Sequence, residues 1–245
     1  MSMLTEISWW AVVQIVLIDL LLGGDNAIVI ALACRNLPER LRLRGILWGT
    51  GGAISARIVL LVFAANLLQL SYVKLIGGVL LFWIAIKLQA ESDDSQGDIH
   101  GSARLLTAIK TIVIADIAMS IDNVVAVAGA AQHAGGGNQM LLMILGILVS
   151  IPIIMWGSTL VLGLIRHFPI IVIIGAAMLG YIALTMIVSD VVVASVIKSQ
   201  FPYLNATISL LNVKLSLAGL SGAASIVFIA LLGRNPHSAP PSSVD

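Results

Sequence analysis

Two stretches decide how this chain folds: Asp19-Leu-Leu-Leu-Gly-Gly-Asp25-Asn26-Ala-Ile-Val-Ile-Ala31 and, 97 residues later, Asp116-Ile-Ala-Met-Ser-Ile-Asp122-Asn123-Val-Val-Ala-Val-Ala128. Both read as an Asp, five residues, an Asp-Asn pair and then an apolar run. A second landmark repeats at a spacing of 98 residues, with Gly77 over Gly175, Trp83 over Tyr181, Ile84 over Ile182 and Ala85 over Ala183. Two landmarks matched at nearly the same spacing mark an internal duplication.

The sequence around these stretches is that of a membrane protein. Of 245 residues, 59% are hydrophobic and 10% charged, with a mean hydropathy of +1.07. Such values exclude soluble, fibrous and disordered classes. Apolar runs of about 20 residues cross the hydrocarbon core as helices, and seven occur, approximately at 7–33, 45–69, 72–90, 105–131, 139–165, 169–189 and 211–232. Lipid tolerates no unsatisfied backbone, and the alternating pattern of a barrel strand does not appear, so the spans are helices. Each copy of the duplication then holds three spans, about 7–90 and about 105–189. Because three is odd, the second copy enters the membrane from the opposite side. The expected fold is an all-α polytopic membrane protein of seven transmembrane helices, a 3+3 inverted-topology repeat plus one extra helix at about 211–232, in a single transmembrane domain over 1–234. Inverted repeats characterise secondary transporters, whose sites lie near the midplane where the copies face each other.

Orientation follows from the basic residues of the short loops. Arg35, Arg40, Arg42, Arg44, Lys87, Arg104, Lys110, Arg166 and Arg234 fall on one side, against Lys74, Lys198 and Lys214 on the other. Nine against three puts the N-terminus outside and the C-terminus in the cytoplasm, as expected in a bacterial inner (plasma) membrane. Residues 91–102, with Glu91, Asp93, Asp94 and Asp98, read as an acidic, solvated cytoplasmic loop, and 235–245 as a disordered tail. The first ten residues carry Glu6 and no Lys or Arg, so the basic start of a signal peptide is missing. His100, His133, His167 and His237 are scattered through loops and the tail, and Cys34 is the single cysteine. An intrachain disulfide and a zinc or iron–sulfur cluster therefore have no ligand set. The formal charge of +1 offers no field for nucleic acid.

Asp19, Asp25, Asp116 and Asp122 fall inside spans one and four. Each ionised Asp at a helix centre costs about 2.5–3.5 kcal/mol, so four in repeated pairs point to a function. Carboxylate and amide oxygens are hard ligands suited to Mg²⁺, Ca²⁺ or Mn²⁺. Positions six apart lie on different faces of an unbroken helix and nearly two turns apart. Asp25, Asn26, Asp122 and Asn123 are accordingly the expected metal site, with Asp19 and Asp116 as relay or access positions. Arg57, near the middle of span two, is too deep to snorkel and is expected to pair with an Asp, either as an internal counter-ion or as an ion-pair lock. Gly23-Gly24 is a weak point where the first helix either breaks, offering carbonyls to an ion, or packs closely on a neighbour. Pro152 marks a kink in span five. Met119 offers a thioether, but reads first as packing. Trp9, Trp10, Trp48 and Trp156 read as interfacial anchors.

With these motifs in view, the chain resembles the TerC family of integral membrane proteins, across roughly residues 7–232. The duplicated Asp-x5-Asp-Asn pattern carries the likeness. Some bacterial members of that family export manganese, and it is related to the LysE-type exporters. The resemblance implies Mn²⁺ efflux, carried onto Asp19, Asp25, Asn26, Asp116, Asp122 and Asn123. Protons are the expected counter-substrate, because low dielectric favours the protonated carboxyl while a bound dication favours the ionised one. No cofactor is expected, the cation being cargo, and the expected partners are the lipid bilayer, the dication and protons. The alternatives are an exporter of a small organic solute or oxyanion, in keeping with the tellurite-resistance association of the family, and a non-transporting membrane scaffold. An enzyme is not expected, since Gly-Gly-Asp25-Asn26 does not match the Tyr-Asp and Gly-x-Gly-Asp settings of intramembrane aspartyl proteases.

Overall fold

The computed structural model describes residues 9–67, 72–90, 101–133, 139–200, 207–210 and 213–232. Helices dominate: α1 (Trp9–Cys34), α2 (Glu39–Leu67), α3 (Val73–Ala90), α4 (Gly101–His133), α5 (Gln139–His167), α6 (Ile170–Val188), α7 (Val191–Gln200) and α8 (Leu217–Leu232). Between α7 and α8 lies an antiparallel pair of short strands, β1 (Thr207–Leu210) and β2 (Val213–Ser216). Four helical segments, Glu39–Phe63, Val73–Ala90, Gly146–His167 and Ile170–Val188, are long and apolar enough to cross a bilayer, and Gly24–Cys34 and Leu217–Leu232 are shorter apolar helices. Large apolar side chains such as Trp48, Trp83, Trp156, Phe63 and Phe228 are exposed along these helices. A water-soluble fold does not leave so much apolar surface uncovered, whereas lipid accepts it.

The chain is helical as expected, and it departs from the sequence reading in three local places. The segment after α6 holds α7 and the hairpin, and the last helix begins at Leu217 rather than near 211. Val213–Ser216 is apolar and polar in alternation and pairs with Thr207–Leu210, a local preference that an apolar-run reading merges into the following helix. Ser216 then caps α8, its hydroxyl accepting the Gly219 N–H at 3.3 Å. The second departure is at α2, which starts at Glu39, where the Pro38 carbonyl accepts the N–H groups of Leu41 and Arg42. Arg40, Arg42 and Arg44 therefore stand on a helix and not in a loop. Third, α1 runs unbroken through Gly23-Gly24. A Cβ on Gly24 would meet nothing within 4 Å, so close packing does not explain that glycine either. The helix of α5 likewise continues through Pro152. The stretches 91–100 and 233–245, covering nearly all of the acidic loop and tail, lie outside the described residues.

Packing is built on pairs. The contacts of α2 with α4, α1 with α5, α3 with α6 and α6 with α8 are the most extensive, and α1 also meets α4. Buried positions recur along the chain: Gly77, Gly78, Leu81, Ala85 and Leu88 of α3 correspond, 98 residues on, to the buried Gly175, Ala176, Leu179, Ala183 and Met186 of α6. At a spacing of 101, Gly45, Ile46, Gly49, Ala53, Arg57 and Leu61 of α2 correspond to the buried Gly146, Ile147, Ser150, Ile154, Ser158 and Leu162 of α5. The closest approach described is that of α6 and α8, where a Cβ on Gly180 would lie 2.6 Å from Ile226 Cγ1 and 2.8 Å from the Gly222 carbonyl oxygen.

Two polar devices fix the helix ends. Asp190, 2% exposed, accepts the Val192 N–H at 3.0 Å and the Leu75 N–H at 3.3 Å, so one carboxylate caps both α7 and α3. Its position just after the sixth span is thus a structural one. At the other end of α3, Arg35 donates to the Leu88 carbonyl at 2.8 Å and ties the end of α1 to it.

Two expectations follow for thermal melts in detergent. Gly180→Ala overpacks a backbone contact that cannot yield and lowers stability by about 1–3 kcal/mol, whereas Gly24→Ala leaves the melting temperature unchanged or raises it, helix propensity favouring Ala by up to about 1 kcal/mol. Asp190→Ala, by removing two caps, costs about 1–3 kcal/mol, and Asp190→Asn costs less because it keeps an acceptor.

Candidate functional site

Four helices converge on one small cavity of about 20 Å³. The first contributes Asn26, Val29 and Ile30, and α2 contributes Thr50, Ala53, Ile54 and Arg57. From α4 come Ile112, Asp116 and Met119, and from α5 Ile147, Ser150, Ile151 and Ile154. In each helix these residues fall at the i, i+3, i+4, i+7 spacing of one face, so each set forms a single stripe facing inward. A water-sized sphere occupies about 10–15 Å³, so the space suits one water molecule or one ion stripped of most of its water.

One wall is an ion pair. Arg57, 4% exposed, donates from Nη2 to Asp116 Oδ1 at 2.5 Å and from Nε to Ser120 Oγ at 3.0 Å. Ser120 in turn donates to Asp116 Oδ2 at 3.2 Å, four residues back along α4. Asp116 is 6% exposed. The serine hydroxyl thus bridges the two charges, accepting from one and donating to the other. This network accounts for α2 lying along α4, since neither charge is tolerable in an apolar interior without the other.

Other polar groups of the lining are unsatisfied. Neither Oδ1 nor Nδ2 of the buried Asn26 has a hydrogen-bond partner, and Thr50 Oγ1, on a side chain 3% exposed, has none either. Asp25 Oδ1 is also buried without a partner, although Asp25 is not among the residues lining the cavity. Buried polar groups are normally paired, and an unpaired one costs about 1–3 kcal/mol. Several in one place suit a polar or charged ligand.

The positions expected from sequence divide into two sets. Asn26, Asp116 and Arg57 line one cavity, whose lining does not include Asp25. The side chains of Asp19 in α1 and of Asp122 and Asn123 in α4 lie outside those described. Among the described residues, no group of three or more His, Cys, Asp and Glu side chains is placed to hold a metal ion. Thr50, Ser120 and Ser150 were not singled out by sequence. Their signal is positional: Thr50 lies seven residues before Arg57 and Ser120 four after Asp116, on the same helical faces. Met119, read first as packing, lines the cavity.

A polytopic helical bundle with a buried ion pair and unpaired polar side chains around a small cavity is an integral membrane protein organised about an internal polar site. The family model of the integral membrane protein TerC family matches residues 4–230, and the chain belongs to that family. It is 42% identical over 176 residues to the uncharacterized membrane protein YjbE of Bacillus subtilis, covering 72% of this chain and 78% of YjbE. It is 23% identical over 200 residues to the inner membrane protein YgdQ of Escherichia coli, covering 75% of this chain and 82% of YgdQ. It is also 26% identical to the uncharacterized membrane protein YceF of Bacillus subtilis, over 49% of this chain and 50% of that protein. No solved structure matches the chain.

The Arg57–Asp116 pair is open to a direct check. Asp116→Ala leaves a guanidinium buried without its carboxylate and is expected to cost about 3–5 kcal/mol in detergent melts, while the double change Arg57→Met with Asp116→Leu recovers a large part of it. Strictly additive losses would show that the two side chains do not act as a pair.

Proposed function

We propose that the protein exports a divalent metal cation, Mn²⁺ foremost, in exchange for protons, through a site between two oppositely oriented three-helix repeats. The observation that carries this reading is the small cavity lined by unpaired Asn26 and Thr50 together with Asp116. Its carbonyl, hydroxyl and carboxylate oxygens are the ligand types of hard dications. The metal set of the reading is Asp25, Asn26, Asp122 and Asn123, with Asp19 and Asp116 completing the path and Arg57 as charge partner. Asp116 cannot hold a cation and Arg57 with equal strength. Arg57 therefore serves as the internal counter-ion of that carboxylate, and the cation competes with it.

The repeat is supported by the packing. Exchanging the first three helices for the next three turns the α1–α5 contact into α4–α2 and leaves α3–α6 and α1–α4 unchanged, as a two-fold relation requires. The recurrent buried positions of α2 with α5 and of α3 with α6 support the same relation. Rocking of one repeat against the other would open the cavity to each side in turn. The excess of basic residues in loops and helix ends supports an N-terminus outside and a cytoplasmic C-terminus, and the name of YgdQ supports the bacterial inner membrane. An oxyanion or organic-solute exporter would use Arg57 as its contact, but that guanidinium already faces Asp116.

Purified protein in liposomes loaded with a metal-sensitive dye provides the test, with Mn²⁺, Mg²⁺, Ca²⁺, Zn²⁺ and Co²⁺ offered in turn and a pH step imposed. Mn²⁺ flux that follows the proton gradient is expected, with loss of flux in Asp25→Asn, Asp116→Asn and Asp122→Asn at normal expression. Absence of flux for every dication would overturn export, and flux indifferent to the gradient would overturn the exchange.

A further inference from the structure

Thr50 and Thr185 stand apart among the helical hydroxyls, each with its hydroxyl oxygen buried and unpartnered, and of the two only Thr50 lines the cavity. Ser55, Thr107, Ser150, Ser158, Thr159, Ser189, Ser195, Ser199, Ser221 and Ser225 each donate to a carbonyl three or four residues back. This is the usual way a helix satisfies a hydroxyl in an apolar setting. Thr50, buried in the same setting, does not, and its Oγ1 stands unpartnered at the cavity beside the unpartnered carboxamide of Asn26. Met119 lines the same space from α4.

We infer that Thr50 and Met119 are cation ligands that set selectivity, Thr50 through its hydroxyl oxygen and Met119 through its thioether, together with the oxygen of Asn26. This rests on the dication-export reading and names the substrate class it admits. Ca²⁺ takes six to eight oxygens, and Mg²⁺ keeps several of its waters in near-octahedral order. The cavity of about 20 Å³ is walled chiefly by aliphatic side chains, which hold none of an ion's waters in order. Its described side-chain oxygens come from four residues, Asn26, Thr50, Asp116 and Ser150. Asp116 is engaged by Arg57, so few oxygens remain for a hard ion that needs many. A mixed set of a few oxygens and one sulfur favours transition dications such as Mn²⁺, Co²⁺ and Cd²⁺ over Mg²⁺ and Ca²⁺.

The experiment compares the full chain with Thr50→Val, Thr50→Ser, Met119→Leu and Met119→Cys in proteoliposomes, reading initial flux of Mn²⁺, Co²⁺, Cd²⁺, Mg²⁺ and Ca²⁺ over a concentration series. Thr50→Val is expected to raise the KM for Mn²⁺ about tenfold, the scale of one lost polar ligand, and Thr50→Ser to restore it. Met119→Leu is expected to lower the preference for Cd²⁺ and Mn²⁺ over Ca²⁺ by about tenfold, and Met119→Cys, which keeps a sulfur, to retain it. X-ray absorption of Cd²⁺ bound to the wild-type protein gives a readout independent of any variant's folding, and a sulfur scatterer is expected in the first shell. A wild type that carries no dication would overturn the export reading itself. A wild type that carries Mn²⁺ with an all-oxygen Cd²⁺ shell, or with unchanged KM and selectivity in Thr50→Val and Met119→Leu, would overturn this inference and leave export standing.

Discussion

In a low-dielectric interior a guanidinium has nowhere to go except to a carboxylate, and the Arg57–Asp116 pair is where this chain meets that constraint. The pair lies between α2 and α4, far apart in sequence, and Ser120 bridges it. Once the two charges are joined, the faces that carry them face inward. The remaining members of those faces, Thr50 and Ala53 on one side and Ile112 and Met119 on the other, become the wall of a shared cavity. The first and fifth helices close it, and a buried polar cluster is thereby enclosed in a bundle that exposes many large apolar side chains.

The cavity is asymmetric in a way the duplication does not suggest. At the recurrent spacing of 101, Arg57 in α2 corresponds to Ser158 in α5, whose hydroxyl donates to the Met155 carbonyl and is satisfied within its own helix. Only one half of the bundle therefore supplies the buried guanidinium. Thr50 corresponds to Ile151, which is apolar. The two sets of helices share buried positions, while of the two charges at the cavity the guanidinium comes from α2 and the carboxylate from α4.

The rest of the structure holds that arrangement in register. Close approach of α6 and α8 at Gly180 and Gly222 sets one side of the bundle. Asp190 caps α7 and α3 together, and Arg35 secures the far end of α3. These contacts join helix termini, where backbone groups would otherwise be unpaired. The helix faces are left for packing, and Asn26 and Thr50 at the cavity are among the buried polar groups without an internal partner.

Spans and carboxylates were legible in the sequence because both are local, one-dimensional properties. A run of apolar residues long enough to cross lipid, interrupted by Asp19, Asp25, Asp116 and Asp122, needs no knowledge of neighbours to be noticed. The spacing of Gly77 and Gly175 and of Ala85 and Ala183 likewise showed in the letters, and those residues proved to be buried. What only the tertiary structure decided is which side chain meets which. That Arg57 pairs with Asp116, that Asn26 and Thr50 share a cavity and that Asp190 reaches Leu75 depend on the rotation of each helix about its axis and on its neighbours. A helix apolar on nearly every face carries no periodic signal from which that rotation can be read. The strands before α8 escaped for a related reason, since Val213–Ser216 is a strand only because Thr207–Leu210 lies beside it to complete its hydrogen bonds.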